Sequence, residues 1–120
     1  MKEQQLQKQI LKYLEAKGYY TVKSIVSNKK GVPDILACSP EGRFVAIEVK
    51  APGKLNTVSA LQDYNLQQIN SNQGLAIVAD SLKKFKNFYD FFHLGDLHFS
   101  QLWYYIHILN KEYLKKITWR

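Results

Sequence analysis

Three charged residues in the middle of the chain have the types and the spacing for phosphodiester chemistry. Asp34 precedes Glu48 by a short segment, and Lys50 follows two positions later. Two carboxylates that face each other repel and destabilise a strand pair, so such a pair favours a bound cation. Mg²⁺ takes oxygen ligands, needs only one or two protein carboxylates and keeps waters for chemistry. The set therefore indicates a metal-dependent hydrolase, and it requires no catalytic His or Cys.

A tight turn predicts that the three side chains share one face of a sheet. Segment 39–42 (Ser-Pro-Glu-Gly) has turn composition and lies between two apolar runs. If its first residue faces Arg43, then Asp34 lies directly opposite Glu48, about 4.5–5.5 Å away. The alternation of a strand places Lys50 on the same face as Glu48. A turn longer by one residue would break this register, so the prediction depends on the turn.

Each member of this set has its own expected role. Asp34 and Glu48 are predicted metal ligands, and the main-chain carbonyl of Val49 is a third candidate. A bound metal makes water a better nucleophile and neutralises the charge that develops on a phosphate. Lys50 is predicted to hold the attacking water or to stabilise the pentacovalent phosphorus as a point charge. The alternative interpretation is a loop-entry Asp followed by solvent-facing charges on a half-exposed strand.

Apolar periodicity predicts the order α-β-β-β-α-β-α, which indicates an α/β domain with a mixed sheet between helices. The unit from 43 to 79 is expected to form a right-handed parallel crossover, preceded by an antiparallel hairpin. Segment 75–79 is entirely apolar and predicts a buried, central strand. The predicted helices cover 3–17, 58–71 and 81–92, and the predicted strands cover 19–27, 32–38, 43–50 and 75–79.

Composition and charge fit one small domain that acts on a polyanion. The 120 residues leave room for one core, and 46% are apolar. Of the net charge of +7, segments 1–40 and 81–120 carry +4 each, whereas segment 41–80 carries −1. A basic domain suggests nucleic acid, although such charge also serves solubility. Acids in the centre favour a metal-dependent nuclease over a pure DNA-binding module.

The sequence favours a reducing compartment. The single cysteine, Cys38, cannot form an internal disulfide and is interpreted as a small buried apolar residue. No apolar run reaches the roughly 20 residues that a membrane span needs, and segment 1–5 lacks the core of a signal peptide. We expect a cytoplasmic protein with no membrane partner.

Glu3 and Gln62 each have a structural and a functional interpretation. Glu3 lies in the first turn of a predicted helix, where an acid complements the helix dipole. It is also a candidate to reach the metal directly or through water. Gln62 stands three residues after Ser59, which is the spacing of a capping box. It is also a candidate to hydrogen-bond the attacking water or the scissile phosphate.

Two groups of residues are candidates for interaction surfaces. They are lysines near the motif and aromatic residues near the carboxyl end. Lys29, Lys30 and Lys54 are candidate phosphate contacts for DNA, or else solvated loop charges. Segment 96–120 is aromatic and amphipathic. We expect at least one helix there, packed on the same domain or in a subunit interface.

The wider pattern resembles the PD-(D/E)XK nuclease superfamily and, within it, the virus-type replication-repair nuclease (VRR-NUC) family. The resemblance rests on an early Glu3, the hairpin with its two motif segments, and the Ser59-to-Gln62 helix start, over about residues 3–92. Leu66 departs from relatives with a Q-x-x-x-Y helix, which favours the VRR-NUC branch. The motif segments are Gly31-Val32-Pro33-Asp34 and Glu48-Val49-Lys50.

This resemblance implies a restriction-endonuclease-like fold over residues 1–95 and Mg²⁺- or Mn²⁺-dependent cleavage of DNA. It implies a preference for four-way junctions, also called Holliday junctions, or flaps, as in DNA repair. Stand-alone phage and bacterial members are similar to junction-resolving homodimers, whereas members fused to larger repair proteins act as monomers. By similarity to the stand-alone members, we expect an endodeoxyribonuclease of a bacterium or a phage-infected cell that works as a homodimer.

Two alternatives stay open. One is a catalytically idle DNA-binding or structural subunit on the same fold. The other is a sequence-specific restriction nuclease or a nickase. The small size of the chain argues against this alternative, because 120 residues leave little room for base readout.

Overall fold

A four-stranded sheet with helices on both faces forms the described part of the chain, residues 2–93 of a computed structural model. The element order confirms the prediction α-β-β-β-α-β-α. The predicted extension 96–120 lies outside the described residues. The helices are α1 (Glu3–Ala16), α2 (Ala60–Ser71) and α3 (Leu82–His93), and the strands are β1 (Tyr20–Lys23), β2 (Ile35–Cys38), β3 (Phe44–Val49) and β4 (Leu75–Ala79).

The sheet is mixed, with the strands in the order β1-β2-β3-β4. The β1–β2 and β2–β3 pairs are antiparallel, and the β3–β4 pair is parallel, as predicted. Every residue of β4 is buried. The expectation that β4 is central was wrong, because it lies last among the described strands. Its burial comes from helices on both faces, since α2 and α3 both contact it.

Helix α1 is anchored by one apolar stripe. Leu6, Ile10 and Leu14 are fully buried, and each is four residues from the next. The helix ends at the predicted place, with Lys17 as its C-cap and Gly18 at φ +88°. A positive φ costs glycine nothing, which is why glycine so commonly ends helices. The stripe fixes α1 against the sheet.

The turn between β2 and β3 has the predicted length, and the register follows from it. The Ser39 amide donates to the Arg43 carbonyl at 2.9 Å. The partners along the ladder are Ile35 with Ile47, Leu36 with Ala46, Ala37 with Val45, and Cys38 with Phe44. Continued by one residue, this register places Asp34 opposite Glu48. The register prediction is confirmed.

Three predicted strands are shorter in the structure; β3 loses one residue at each end, and β1 and β2 lose three or more. β1 ends at Lys23, and the following residues Ile25 and Val26 are 83% and 91% exposed. Their β-branched character predicted a strand, but they have no sheet to pack on, so the chain forms a loop. β2 begins at Ile35, because Pro33 has no N–H to donate to a ladder. Cys38 is exposed, so the interpretation of a buried cysteine was wrong.

The loop before the motif is fastened to α2. The Asn65 side chain donates from Nδ2 to the Lys30 carbonyl at 3.1 Å. Gly31 has φ +77°, and a Cβ there would lie 2.8 Å from Leu61 Cγ and 2.9 Å from the Leu61 carbonyl carbon. Glycine is therefore required twice at this position, by the backbone conformation and by the close approach of α2.

None of the helices in residues 2–93 combines the length and the apolar character that crossing a membrane requires.

We predict that Gly31→Ala destabilises the protein more than Gly42→Ala does. Both glycines have positive φ, so each substitution costs about 1–3 kcal/mol of backbone strain. Only Gly31 also meets α2, whereas a Cβ at Gly42 has no atom within 4 Å. Urea unfolding of the two variants measures the difference, and equal losses would contradict the contact with Leu61.

Candidate active site

Two acidic side chains meet where β2 begins and β3 ends. Glu48 is 2% exposed on the face of β3 that looks toward α2, and Asp34 lies opposite it and is partly buried. Burial raises the pKa of Glu48 from 4.5 to about 8, with a further upward contribution from the charge of Asp34. The nearby Lys50 ammonium lowers the pKa of Glu48 and offsets only part of this. The pair is therefore unfavourable in the absence of a further positive charge.

The proline before Asp34 changes the end of the ladder. The register places Pro33 opposite Val49, at a position where a regular antiparallel pair exchanges two hydrogen bonds. Pro33 has no N–H, so it cannot donate to the Val49 carbonyl. The Val49 N–H instead donates to Asp34 Oδ2 at 2.8 Å. This bond orients the Asp34 carboxylate and leaves the Val49 carbonyl, on the same side of the strand, without its ladder donor.

Lys50 lies on the same face as Glu48, as predicted. Its Nζ atom is 2.9 Å from Gln62 Oε1 and 3.5 Å from Glu48 Oε2. Lys50 is only 9% exposed. The alternative of solvent-facing charges on a half-exposed strand is therefore excluded for Glu48 and Lys50. A buried ammonium held at two points has a defined position, which a lysine on the surface lacks.

Gln62 satisfies both of its interpretations at once. Its main-chain N–H donates to Ser59 Oγ at 3.1 Å, and its Oε1 accepts from the Ser59 N–H at 2.9 Å, which completes the capping box. The same amide accepts from Lys50 through Oε1 and donates from Nε2 to Glu48 Oε2 at 3.0 Å. The start of α2 therefore sets the position of the amide that joins Lys50 to Glu48.

The residues present fit a divalent cation. Glu48 Oε1 is buried and has no hydrogen-bond partner within the described residues. The second oxygen donor is the Asp34 carboxylate, and the third is the Val49 carbonyl. No group of three or more His, Cys, Asp or Glu side chains that could hold a metal occurs in the described part of the chain. Mg²⁺ suits such a sparse set, because it binds through one or two carboxylates and keeps several waters.

Helix α1 brings Glu3 to one side of this site. Glu3 is partly buried and lines a cavity of about 710 Å³ together with Asp34. It does not join Asp34 and Glu48 in a close cluster, so any reach to the metal from Glu3 would be through water. Sequence reasoning missed Gln7, which is buried and lines the same cavity. Its signal was the spacing of four residues from Glu3, which places both on one helix face.

Sequence reasoning also missed Asp80, which fixes the chain after Lys50. Asp80 is buried at the end of β4, and its Oδ2 accepts from the Gly53 N–H at 3.3 Å. Its Oδ1 is 3.2 Å from Lys84 Nζ. This acid therefore holds the turn that follows β3. An acid directly after an all-apolar strand was the available signal.

The three predicted DNA-binding lysines are all exposed, outside the acidic centre. Lys29 and Lys30 line a cleft of about 770 Å³ with Tyr64, and this cleft does not include Asp34, Glu48 or Lys50. Lys29 also lines a smaller pocket that contains Asp34. Lys54 precedes the 3₁₀ turn Leu55–Thr57. The structure thus brings Lys29 toward the acids, and it leaves Lys54 on the surface after β3.

Comparison with known proteins identifies the family. The sequence model of the VRR-NUC domain matches residues 1–83, which is more than half of the chain and includes every site residue described above. The chain belongs to the VRR-NUC family. This assignment makes it a nuclease domain, as the acid, acid and lysine set had indicated.

Individual relatives agree with the family assignment. A curated protein named "Putative nuclease p44", from Acyrthosiphon pisum secondary endosymbiont phage 1, is 28% identical over 64 residues, which are 53% of this chain and 69% of that protein. A solved structure described as a VRR_NUC domain has a TM-score of 0.65 and 22% identity, and the match covers 78% of this chain and 97% of that one. Its likeness confirms the restriction-endonuclease-like α/β fold.

We predict that the metal-free VRR-NUC domain becomes less stable as the pH rises from about 5 to 8. A pKa raised from 4.5 to about 8 means that folding favours protonated Glu48. This contribution is fully present below the ordinary pKa and is lost as the pH rises through 8. Thermal denaturation in EDTA measures the slope, and Glu48→Gln, which cannot titrate, is expected to flatten it. The same slope in Glu48→Gln would contradict the assignment to Glu48.

Proposed function

We propose that this VRR-NUC domain is a Mg²⁺- or Mn²⁺-dependent endodeoxyribonuclease that hydrolyses phosphodiester bonds in branched DNA. One observation carries the proposal. Lys50 and Glu48 are both buried and are joined through Gln62, and Glu48 keeps a buried oxygen that has no hydrogen-bond partner among residues 2–93. A structural role alone does not account for a carboxylate held in this way opposite a second one.

Each residue of the site has its own role in hydrolysis. Asp34, Glu48 and the Val49 carbonyl would hold the divalent cation, and the hydrogen bond from the Val49 N–H orients Asp34. The ion, when bound, would supply a more nucleophilic water and neutralise charge on the phosphate. Lys50, fixed by Gln62, presents its ammonium where negative charge develops on the pentacovalent phosphorus. No covalent intermediate on the protein is required.

The charge distribution supports DNA as the substrate. Lys29, Lys30 and Lys54 are exposed around the acidic centre, and contacts of this kind position a nucleic acid without reading its sequence. The cleft lined by Lys29, Lys30 and Tyr64 offers a path for a strand beyond the active site. Because such contacts carry no sequence information, they favour recognition of DNA shape.

An exposed apolar row supports the proposal of a homodimer. The register aligns Tyr20, Cys38 and Phe44 across three strands on one sheet face, and Tyr20 and Phe44 are 72% and 45% exposed. Apolar patches on a surface commonly mark protein interfaces. Two copies with two active sites suit the paired, symmetric nicks that a four-way junction needs.

The phage origin of the p44 relative supports activity in the cytoplasm of an infected cell.

We predict that Asp34→Asn, Glu48→Gln and Lys50→Met each lower cleavage at least about 10²–10³-fold, since each removes a group that stabilises the transition state. The matched control is Lys83→Met on the exposed face of α3, which should cleave like the wild type. The assay uses linear, flap and four-way DNA with Mg²⁺, Mn²⁺ or EDTA. Circular dichroism checks the fold, and light scattering measures the mass.

Full activity of all three variants, or of the wild type in EDTA, would refute the proposal. Wild-type protein that binds junctions but cleaves none with either metal would instead establish the idle-subunit alternative. Equal cleavage of linear and branched DNA would reject the preference for branches alone, and a monomeric mass would reject the dimer alone.

We predict that Lys29→Ala, Lys30→Ala and Lys54→Ala each weaken DNA binding equally for all sequences. Each loss of a phosphate contact should reduce the slope of log K against log salt concentration by about 1. Binding is measured in EDTA over a range of salt, with Lys83→Ala as the control. An unchanged salt slope for a lysine would remove that residue from the DNA contact surface.

A further inference from the structure

We infer that Gln7 is a positioning residue of the active site, whose amide supplies an uncharged oxygen acceptor to the hydration shell of a divalent cation at Asp34. This inference rests on the proposed function, because it requires that Asp34 and Glu48 hold such an ion. It goes beyond that function, since none of the sequence motifs includes Gln7.

The location of Gln7 is the first observation. Gln7 lies one helical turn after Glu3 on α1, and both residues line the cavity of about 710 Å³ that also contains Asp34. Its neighbours Leu6 and Ile10 are completely buried, so the backbone of this turn is held firmly against the sheet. The packing that anchors α1 therefore holds Gln7 in the wall of the cavity that also contains Asp34.

The hydrogen bonding of Gln7 is the second observation. The side chain is 7% exposed, and its Oε1 is buried without a hydrogen-bond partner in the described part of the chain. A buried acceptor without a donor is destabilising. A half-turn about the Cγ–Cδ bond exchanges oxygen and nitrogen, so either atom can face the cavity. With the oxygen turned toward the cavity, water that surrounds a cation at Asp34 could donate to it.

The chemistry of an amide suits this place better than that of an acid. Asp34 and Glu48 already repel each other, and a third carboxylate in contact with them would increase the repulsion. An amide oxygen is an acceptor without a full charge. Mg²⁺ keeps several waters when it binds through few protein ligands, and those waters need acceptors. Removal of groups that orient such waters commonly lowers the affinity for the metal about 10–100-fold.

Gln9 provides a matched control within the same helix. Its Oε1 is also buried without a partner, but Gln9 does not line the cavity with Asp34. Both glutamines therefore have a buried side-chain oxygen without a hydrogen-bond partner among the described residues. Of the two, Gln7 lines the cavity that contains Asp34, and Gln9 does not. Substitution of each by methionine, which has nearly the same length and no amide, separates the effect of the site from the effect of burial.

The test compares the wild type with Gln7→Met, Gln9→Met and Gln7→Glu in the full chain. Calorimetric titration with Mn²⁺ gives the dissociation constant, and thermal denaturation in EDTA gives the stability without metal. We expect Gln7→Met to melt in EDTA at or above the wild-type temperature, because an unmatched buried acceptor is replaced by an apolar side chain. Its dissociation constant for Mn²⁺ should rise about tenfold or more.

Gln9→Met should bind Mn²⁺ like the wild type, and Gln7→Glu, which keeps an oxygen acceptor, should bind it at least as tightly. Unchanged Mn²⁺ affinity in Gln7→Met would overturn the inference alone, and so would a clear loss of stability in EDTA, which indicates a structural role. No Mn²⁺ binding by the wild type would overturn the proposed function together with this inference.

Discussion

The buried carboxylate of Glu48 opposite Asp34 is the constraint on which the rest of the site depends. Burial and the neighbouring acid both disfavour its charged form, and Lys50 offsets this only in part. The surrounding contacts fit a site in which the buried charge of Glu48 is unfavourable and one of its carboxylate oxygens is available to bind an ion. Gln62 donates a hydrogen bond to one oxygen of Glu48, and the other oxygen has no partner among the residues that the structure describes. The stability of the fold and the chemistry of the site are therefore opposed at this residue.

The sequence could predict the site because short-range rules determine it. The turn at 39–42 sets the register, and the register alone places Asp34 opposite Glu48. Alternation along β3 then places Lys50, and the capping box after Ser59 places Gln62. The proline before Asp34 also acts locally, since its missing N–H ends the ladder. Each of these rules spans few residues, and none requires knowledge of the tertiary structure.

The features that the sequence did not predict depend on contacts between distant segments. Ile25 and Val26 have strand-forming side chains, but whether a strand forms there depends on a partner and a surface to pack on. The all-apolar β4 indicated burial, yet burial by helices and burial by flanking strands leave the same pattern. Gln7 and Asp80 acquire their roles only when α1 and β4 reach the active site. The acid, acid and lysine set indicated phosphodiester hydrolysis, and the family resemblance added the expectation that branched DNA is the substrate.

The most direct test of the account is a crystal structure of the protein grown with Mn²⁺, with diffraction data collected for anomalous scattering. The account predicts a peak bonded to oxygens of both Asp34 and Glu48, with the Val49 carbonyl as a further ligand and the Lys50 ammonium close by. An ion bound elsewhere, or bound without either of these two acids, would contradict it, as would a fully loaded crystal with no peak between them.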